Sequence, residues 1–175
     1  WIEKFDYEGG FVKEWGSKGK GEGEFNEPKG LANDAQGDIY VTDSLNYRIQ
    51  KFSSEGEFLK QWQSVAFDGV GESYPEGIVI DEEGYLHVAH RDIIRRFHPD
   101  GGDFISEWIT HNVNERFQTI SGMLIDPARG EFYVVEAEGG AKNRILKFRQ
   151  DESFINKWGS SGSGYGEFIV PHLIT

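Results

Sequence analysis

The stretch Gly30-Leu-Ala-Asn-Asp-Ala-Gln-Gly-Asp-Ile-Tyr-Val-Thr-Asp-Ser-Leu-Asn-Tyr-Arg-Ile-Gln-Lys-Phe-Ser-Ser-Glu-Gly-Glu-Phe-Leu-Lys-Gln-Trp62 decides the fold. It holds four short runs suited to a sheet, residues 30–34, 38–43, 48–52 and 58–62, separated by Gly, Asn, Asp and Ser, which tolerate tight turns. Its ending recurs along the chain as Phe11-Val-Lys-Glu-Trp15, Phe58-Leu-Lys-Gln-Trp62, Phe104-Ile-Ser-Glu-Trp108 and Phe154-Ile-Asn-Lys-Trp158, with the Trp residues 47, 46 and 50 positions apart. A second anchor keeps the same period: Ile2-Glu-Lys-Phe5, Ile49-Gln-Lys-Phe52, Ile94-Arg-Arg-Phe97 and Ile145-Leu-Lys-Phe148. Two independent anchors at one period mark a tandem array. Four strands per repeat of this length make the blade of a β-propeller.

Working outward, the chain is expected to be all-β, a propeller array over residues 1–175. Strands c and d of an earlier blade fall within 1–15, and full blades within about 28–62, 75–108 and 120–158. Strand a of a later blade falls within 168–175, which makes about fifteen strands in all. The pattern is already running at Trp1 and still running at Thr175, so the sequence is expected to be a fragment or processed form of a larger ring, six-bladed or similar.

Composition agrees with an all-β reading, with 23 Gly and 14% aromatic residues. The net charge of −12, from 18 basic and 30 acidic residues, repels phosphate backbones, so nucleic acid is not the expected partner. With no cysteine, disulfides, thiol catalysis and Cys-held zinc are excluded. The sequence has no apolar run of about 18 residues that would span a membrane.

Pro28-Lys-Gly-Leu, Asp38-Ile-Tyr-Val-Thr-Asp43 and Asn46-Tyr-Arg-Ile-Gln-Lys-Phe52 resemble the NHL repeat, as does the linker Trp15-Gly-Ser-Lys-Gly-Lys-Gly-Glu-Gly-Glu-Phe25. The resemblance implies a propeller that binds protein or carbohydrate partners through one face. It also implies similarity to bacterial or archaeal arrays, many of them exported. Residues 143–148, 159–166 and Phe168-Ile-Val-Pro-His172 are in addition similar to peptidyl-hydroxyglycine amidating lyases. That similarity implies a zinc-ligand role for His172 and an active-site role for Arg144. The remaining ligands would have to come from elsewhere, since catalytic zinc takes about three protein ligands.

Two constellations recur with the repeat. Asp43 and Arg48 flank the b–c turn beside Tyr47, and Glu136 and Arg144 repeat the pair, whereas blade two has His90 and Ile93 there. The pair is expected to pin the turn, or else to present an Arg to an anionic ligand. The second constellation is Lys29, Glu76, Ser121 and His172, which share one position at the start of strand a and are expected to line a mouth of the axial channel. The Gly-rich linkers lack the Gly-Lys-Ser/Thr of a phosphate loop. The acidic turns at Asp34 and Asp81-Glu-Glu83 lack EF-hand spacing.

The expected function is thus a non-catalytic binding or assembly scaffold acting through its linkers and b–c loops, with no cofactor. A homo-oligomer or larger assembly would cover its open ends. The alternative is a zinc- or calcium-dependent lyase-like enzyme built on His172 and Arg144.

Overall fold

The computed structural model describes residues 1–67, 72–98, 100, 102–108, 117–137 and 142–172. Three four-stranded antiparallel sheets follow one another, each in the order a-b-c-d. Blade one is Pro28–Asn33, Ile39–Asp43, Arg48–Phe52 and Phe58–Gln63. Blade two is Ile78–Ile80, Leu86–Ala89, Ile94–Phe97 and Phe104–Trp108. Blade three is Ile120–Asp126, Glu131–Glu136, Arg144–Arg149 and Phe154–Trp158. Ile2–Phe5 pairs antiparallel with Phe11–Trp15 ahead of them. The described residues form an open arc rather than a closed ring.

Neighbouring strands are joined by turns whose chemistry is local. Asp34 accepts the backbone N–H of Gln36 and Asp38 in the first a–b turn, and Asp81 accepts those of Glu83 and Tyr85 in the second. These carboxylates are consumed in shaping turns.

The linkers depart from the expectation of plain connections. Ser17–Lys18 lies parallel to Glu24–Phe25, and Ser160–Ser161 parallel to Glu167–Phe168. Both knots keep their first glycine, Gly16 or Gly159, near φ +96° or +97°, where a Cβ would strike the ring of Phe25 at 2.5 Å or of Phe168 at 2.4 Å. Glu24 and Glu167 each accept a glycine N–H inside the knot, from Gly21 and Gly164 at 2.8 Å. The second linker instead carries a short antiparallel pair, Ala66–Phe67 with Glu72–Ser73. The described residues therefore hold twenty strands, more than the repeat pattern suggests. The expected strand a at 168–175 is corrected in part: Phe168 belongs to the knot, 169–172 form no strand, and 173–175 lie outside the described residues.

No blade has a core of its own. One apolar cluster joins Trp15, Phe25 and Phe52, from the first hairpin, the linker and blade one. A second joins Tyr40, Ile49 and Trp62 of blade one to Ile78, Leu86, Val88 and Phe97 of blade two. A third joins Ala89, Ile94 and Trp108 of blade two to Phe132, Val134, Leu146 and Phe148 of blade three. Each sheet buries its apolar face against the next, as stacked repeats must. The Trp that closes strand d makes this contact: Trp108 stands edge-on to Phe132, 4.8 Å between centroids at 84°, and is only 3% exposed. Trp158, at the same register in blade three, is 40% exposed. Trp108→Ala is therefore expected to cost about 3–5 kcal/mol in urea unfolding, and Trp158→Ala less than about 1.5 kcal/mol, because only the first opens a cavity.

Candidate functional site

Two layers of polar residues lie on the linker side of the arc, one buried and one exposed. The buried layer begins at the end of strand b. Asp43 is fully buried and accepts four hydrogen bonds: Asn26 N–H at 2.6 Å on Oδ1, and Arg48 Nε at 2.7 Å, Asn46 Nδ2 at 2.8 Å and Gln50 Nε2 at 3.1 Å on Oδ2. Arg48 in turn places all five of its N–H groups. Besides Asp43, they go to Lys20 O and Gln61 Oε1 from Nη1, and to Gly21 O and Glu24 O from Nη2, each at 2.6–2.8 Å. A guanidinium has five donors in a planar fork, so nothing is left over for a ligand. The reading of Arg48 as an anion-binding residue is thereby corrected. It fastens the first linker knot to blade one, and Gln50, two residues along the same strand face, adds a bond to Glu24 O at 2.7 Å.

Blade three repeats the motif with one more methylene. Glu136 Oε2 accepts Arg144 Nε at 2.5 Å, and Oε1 accepts Gln118 N–H at 2.7 Å. Asn26 and Gln118 each precede strand a by two residues, so the carboxylate holds the incoming chain at one equivalent point.

Blade two solves the same problem with reversed polarity. His90 is fully buried, with Nδ1 3.0 Å from Ser73 O and Nε2 3.2 Å from Ser64 Oγ. A carbonyl can only accept, so Nδ1 carries the proton and Nε2 receives the Ser64 hydroxyl. Ser73 is the counterpart of Asn26, and an imidazole that donates to its carbonyl replaces a carboxylate that accepts its N–H. The ring thus ties together both ends of the second linker. His90 as a ligand-binding residue is corrected on the same ground as Arg48: it is buried and spent on the frame. Its serine partner is buried too, so the Ser64–His90 contact gives no substrate access to a nucleophile.

Burial, with the nearby Arg95 charge, pushes the His90 imidazole down to about 4, against the Ser73 hydrogen bond that raises it. His87 is also held below its ordinary value by burial, against the carboxylate of Asp81 2.9 Å away. It packs on Trp108 and Phe132 between blades two and three.

The exposed layer is the quartet at the start of strand a. Lys29, Glu76, Ser121 and His172 converge on one cavity of about 680 Å³, floored by Gly30, Gly77 and Gly122 and walled by Leu31, Ile78 and Met123. Gly30 permits the close approach of blades: a Cβ there would lie 2.5 Å from Glu76 O. Lys29 Nζ donates to Glu76 Oε1 at 2.7 Å across the blade boundary. Ser121 Oγ donates to Pro171 O at 2.7 Å, which fixes the peptide carrying His172. Hydroxyls make the matching joints at the other boundary, Thr42 Oγ1 to Glu76 O and Ser44 Oγ to Pro75 O, both at 2.6 Å. Arg144 does not line this cavity. Among the described residues no three His, Cys, Asp or Glu side chains are grouped to hold a metal ion.

Tyr47 sits at φ 55° on the b–c turn, and its ring lies 4.9 Å from that of Tyr74 at 33°. Tyr74, not singled out from the sequence, is 39% exposed and stands two residues before Glu76. The Tyr-Pro pair just ahead of a quartet position was the signal that would have found it. Of the variable segments expected to carry partners, 68–71, 111–116 and 138–141 lie outside the described residues.

Two outcomes follow from the buried layer. Arg48→Met is expected to cost about 3–5 kcal/mol, because Asp43 stays buried without its cation, whereas Lys29→Met costs less than about 1 kcal/mol. Urea unfolding of both variants checks this. The second outcome concerns pH. An unfolded imidazole titrates near 6.5 and folded His90 near 4, so unfolding takes up a proton between these values. Stability then falls as pH drops from about 6.5 to about 4, by an amount on the order of 3 kcal/mol. His90→Asn should flatten that part of the stability–pH curve relative to the native chain, with the smaller slope from His87 remaining.

Known proteins share this architecture. The profile described as the NHL repeat matches residues 25–52. NHL repeat-containing protein 3 of Mus musculus is 39% identical over 60 residues, 34% of this chain and 17% of that protein. Its Homo sapiens counterpart is 37% identical over 46 residues, 26% of this chain and 13% of that protein. The matched segment is thus a small part of either relative. Among solved structures, Kuenenia stuttgartiensis hydrazine synthase superposes with TM-score 0.62 at 12% identity, over 90% of this chain and 42% of that one. A streptogramin B lyase superposes with TM-score 0.58 at 15% identity, over 79% of this chain and 42% of that one. The virginiamycin B lyase of Staphylococcus aureus gives 0.55 at 16% identity, over 79% and 43%. At these identities the likeness is one of fold, and the chain spans less than half of each structure. The matched segment begins at Phe25 of the knot and takes in the Asp43–Arg48 pair and the b–c turn just described, so residues 25–52 are similar to an NHL repeat, set here among the blades of a β-propeller.

Proposed function

We propose that this chain is a binding scaffold whose axial groove, on the linker and b–c-turn side, receives a partner. One observation carries the reading. Four positions equivalent in the repeat hold four different chemistries, Lys29, Glu76, Ser121 and His172, and converge on one cavity while the frame behind them is held by repeated bonds. Sites placed on a rigid scaffold use such positions. A cavity of about 680 Å³ is also of ligand size, since such pockets run from about 300 to about 1,000 Å³.

The second reading is a metal-dependent lyase-like enzyme. Two of the structural neighbours are named as lyases, and His172 faces the groove. Against it, Arg144 is engaged by Glu136 away from the groove, and among the described residues that line the cavity His172 has no His or Asp partner. Zinc and calcium content of the purified protein, measured by mass spectrometry, separates the two. About one equivalent of metal lost on His172→Ala would favour the enzyme.

The binding reading has its own probe. Met123, the one methionine of the chain, lines the groove, so its ¹³C-labelled methyl signal reports occupancy. A binding partner is expected to shift that signal saturably, and Glu76→Gln to weaken the response. Ligands that bind without moving the Met123 signal would place the site elsewhere.

A further inference from the structure

Resting on the binding reading, we infer that the groove takes a free α-amino acid with a bulky apolar side chain. Lys29 and Glu76 hold its charged head, and Leu31, Ile78 and Met123 cover its side chain.

The head-group end is the Lys29–Glu76 pair. Nζ and Oε1 lie 2.7 Å apart, and both side chains are partly exposed. That bond uses one of three ammonium donors and one of two carboxylate oxygens, so Lys29 keeps two N–H groups and Glu76 its Oε2. Among the described residues lining the cavity, Glu76 is the one carboxylate and Lys29 the one Lys or Arg. A simple anion drawn to Lys29 also meets the charge of Glu76, and a simple cation drawn to Glu76 meets that of Lys29. An α-amino acid carries both signs on one carbon. Its carboxylate accepts from Lys29 while its ammonium donates to Glu76 Oε2, which closes a ring of four alternating charges and leaves the existing pair intact. Each link is a charge-assisted hydrogen bond. Matching both signs at once also fixes the orientation of the ligand.

The floor and the wall suit the rest of such a molecule. Gly30 is required by packing, but Gly77 is not: its φ is not positive, and a Cβ there would meet Ala89 Cβ and Met123 N at 3.8 Å, an ordinary contact. Nothing among the described residues therefore demands glycine at 77. A bare backbone beside Glu76 lets a ligand come close to the floor. Leu31, Ile78 and Met123 form an apolar wall, and Leu31 is 52% exposed, so a ligand side chain laid on it removes apolar surface from water. Beyond the wall stand Ser121, of blade three, and His172, of the segment after it. The Ser121 hydroxyl gives its proton to Pro171 O and so offers a ligand only lone pairs. The site is formed before any ligand arrives. Thr42 Oγ1 and Ser44 Oγ hold Glu76 O and Pro75 O, each at 2.6 Å, which fixes the segment carrying Glu76 and limits the entropy lost on binding.

The test titrates the ¹³C-methyl-labelled chain with L-tryptophan, L-leucine and glycine, and with N-acetyltryptophan and tryptophanamide, which lack the charged ammonium and the carboxylate respectively. Maltotetraose and a neutral tetrapeptide blocked at both ends are titrated in parallel. Tryptophan or leucine should shift the Met123 methyl saturably. Glycine and the two blocked derivatives should each bind about 10-fold or more weakly than tryptophan. Lys29→Met, Glu76→Gln and Gly77→Ala should each weaken tryptophan binding about 10-fold or more, with the native melting temperature kept because none of the three opens a cavity or strains the backbone. Should a variant lose that temperature, the blocked derivatives decide, since they remove the same charges from the ligand and leave the chain untouched. A response to the sugar or the blocked peptide and to none of the free amino acids overturns the amino-acid assignment and leaves the binding reading standing. Equal binding of tryptophan and its blocked derivatives overturns the role of the Lys29–Glu76 pair. No shift of the Met123 methyl with any probe overturns both readings.

Discussion

A four-stranded sheet that is apolar on its faces has no core until another sheet covers it. That constraint governs this molecule. All three apolar clusters lie between consecutive blades or between a blade and its linker. The Trp at the end of strand d and the Phe at the end of strand c recur because each blade must both cover its neighbour and be covered. Close blade approach at the axis follows from the same need. Gly30 admits the carbonyl of Glu76 where any side chain would block it, and the groove opens where the strands a converge.

Stacking alone leaves the linkers unplaced. Their backbone groups must find partners once they cross a buried boundary. Arg48 answers this with five hydrogen bonds, four of them to the linker and to strand d and one to Asp43. The charge is affordable only because every donor of the guanidinium and both oxygens of the carboxylate are satisfied. Blade two shows that the requirement is for a polar bridge rather than for a particular ion pair. His90 spans Ser64 and Ser73 with two bonds and no charge, and its neutral state is enforced by burial. The frame is therefore polar at the linkers and apolar between sheets. The quartet lies outside both layers, although Ser121 also ties the incoming chain at Pro171 and Lys29 meets Glu76 across a blade boundary.

This separation clarifies which recurrent residues serve the fold and which face a ligand. The Asp–Arg pair and the quartet recur at the same period, so the period by itself cannot tell them apart. Depth does. Asp43, Arg48, His90, Glu136 and Arg144 are buried, while Lys29 and Glu76 are partly exposed and border the cavity. Tyr47 falls between the two groups, half-buried on its turn and stacked on Tyr74.

The sequence by itself determined the strand count per blade and placed Asp43 beside Arg48 and Glu136 beside Arg144 across the b–c turn, because these follow from runs of strand-forming residues broken by turn residues at a fixed period. It also brought Lys29, Glu76, Ser121 and His172 to one position of the repeat, since a tandem array maps equal register onto equal place. Only the tertiary structure decided what those residues are free to do. The knots at 16–25 and 159–168 depend on positive-φ glycines and on parallel pairing too short to leave a periodic trace. The saturation of Arg48 depends on carbonyls more than twenty residues away. The pairing of Tyr47 with Tyr74 crosses a linker whose path no local pattern records. Periodicity encodes which face a side chain occupies. What meets it there is set by packing between blades.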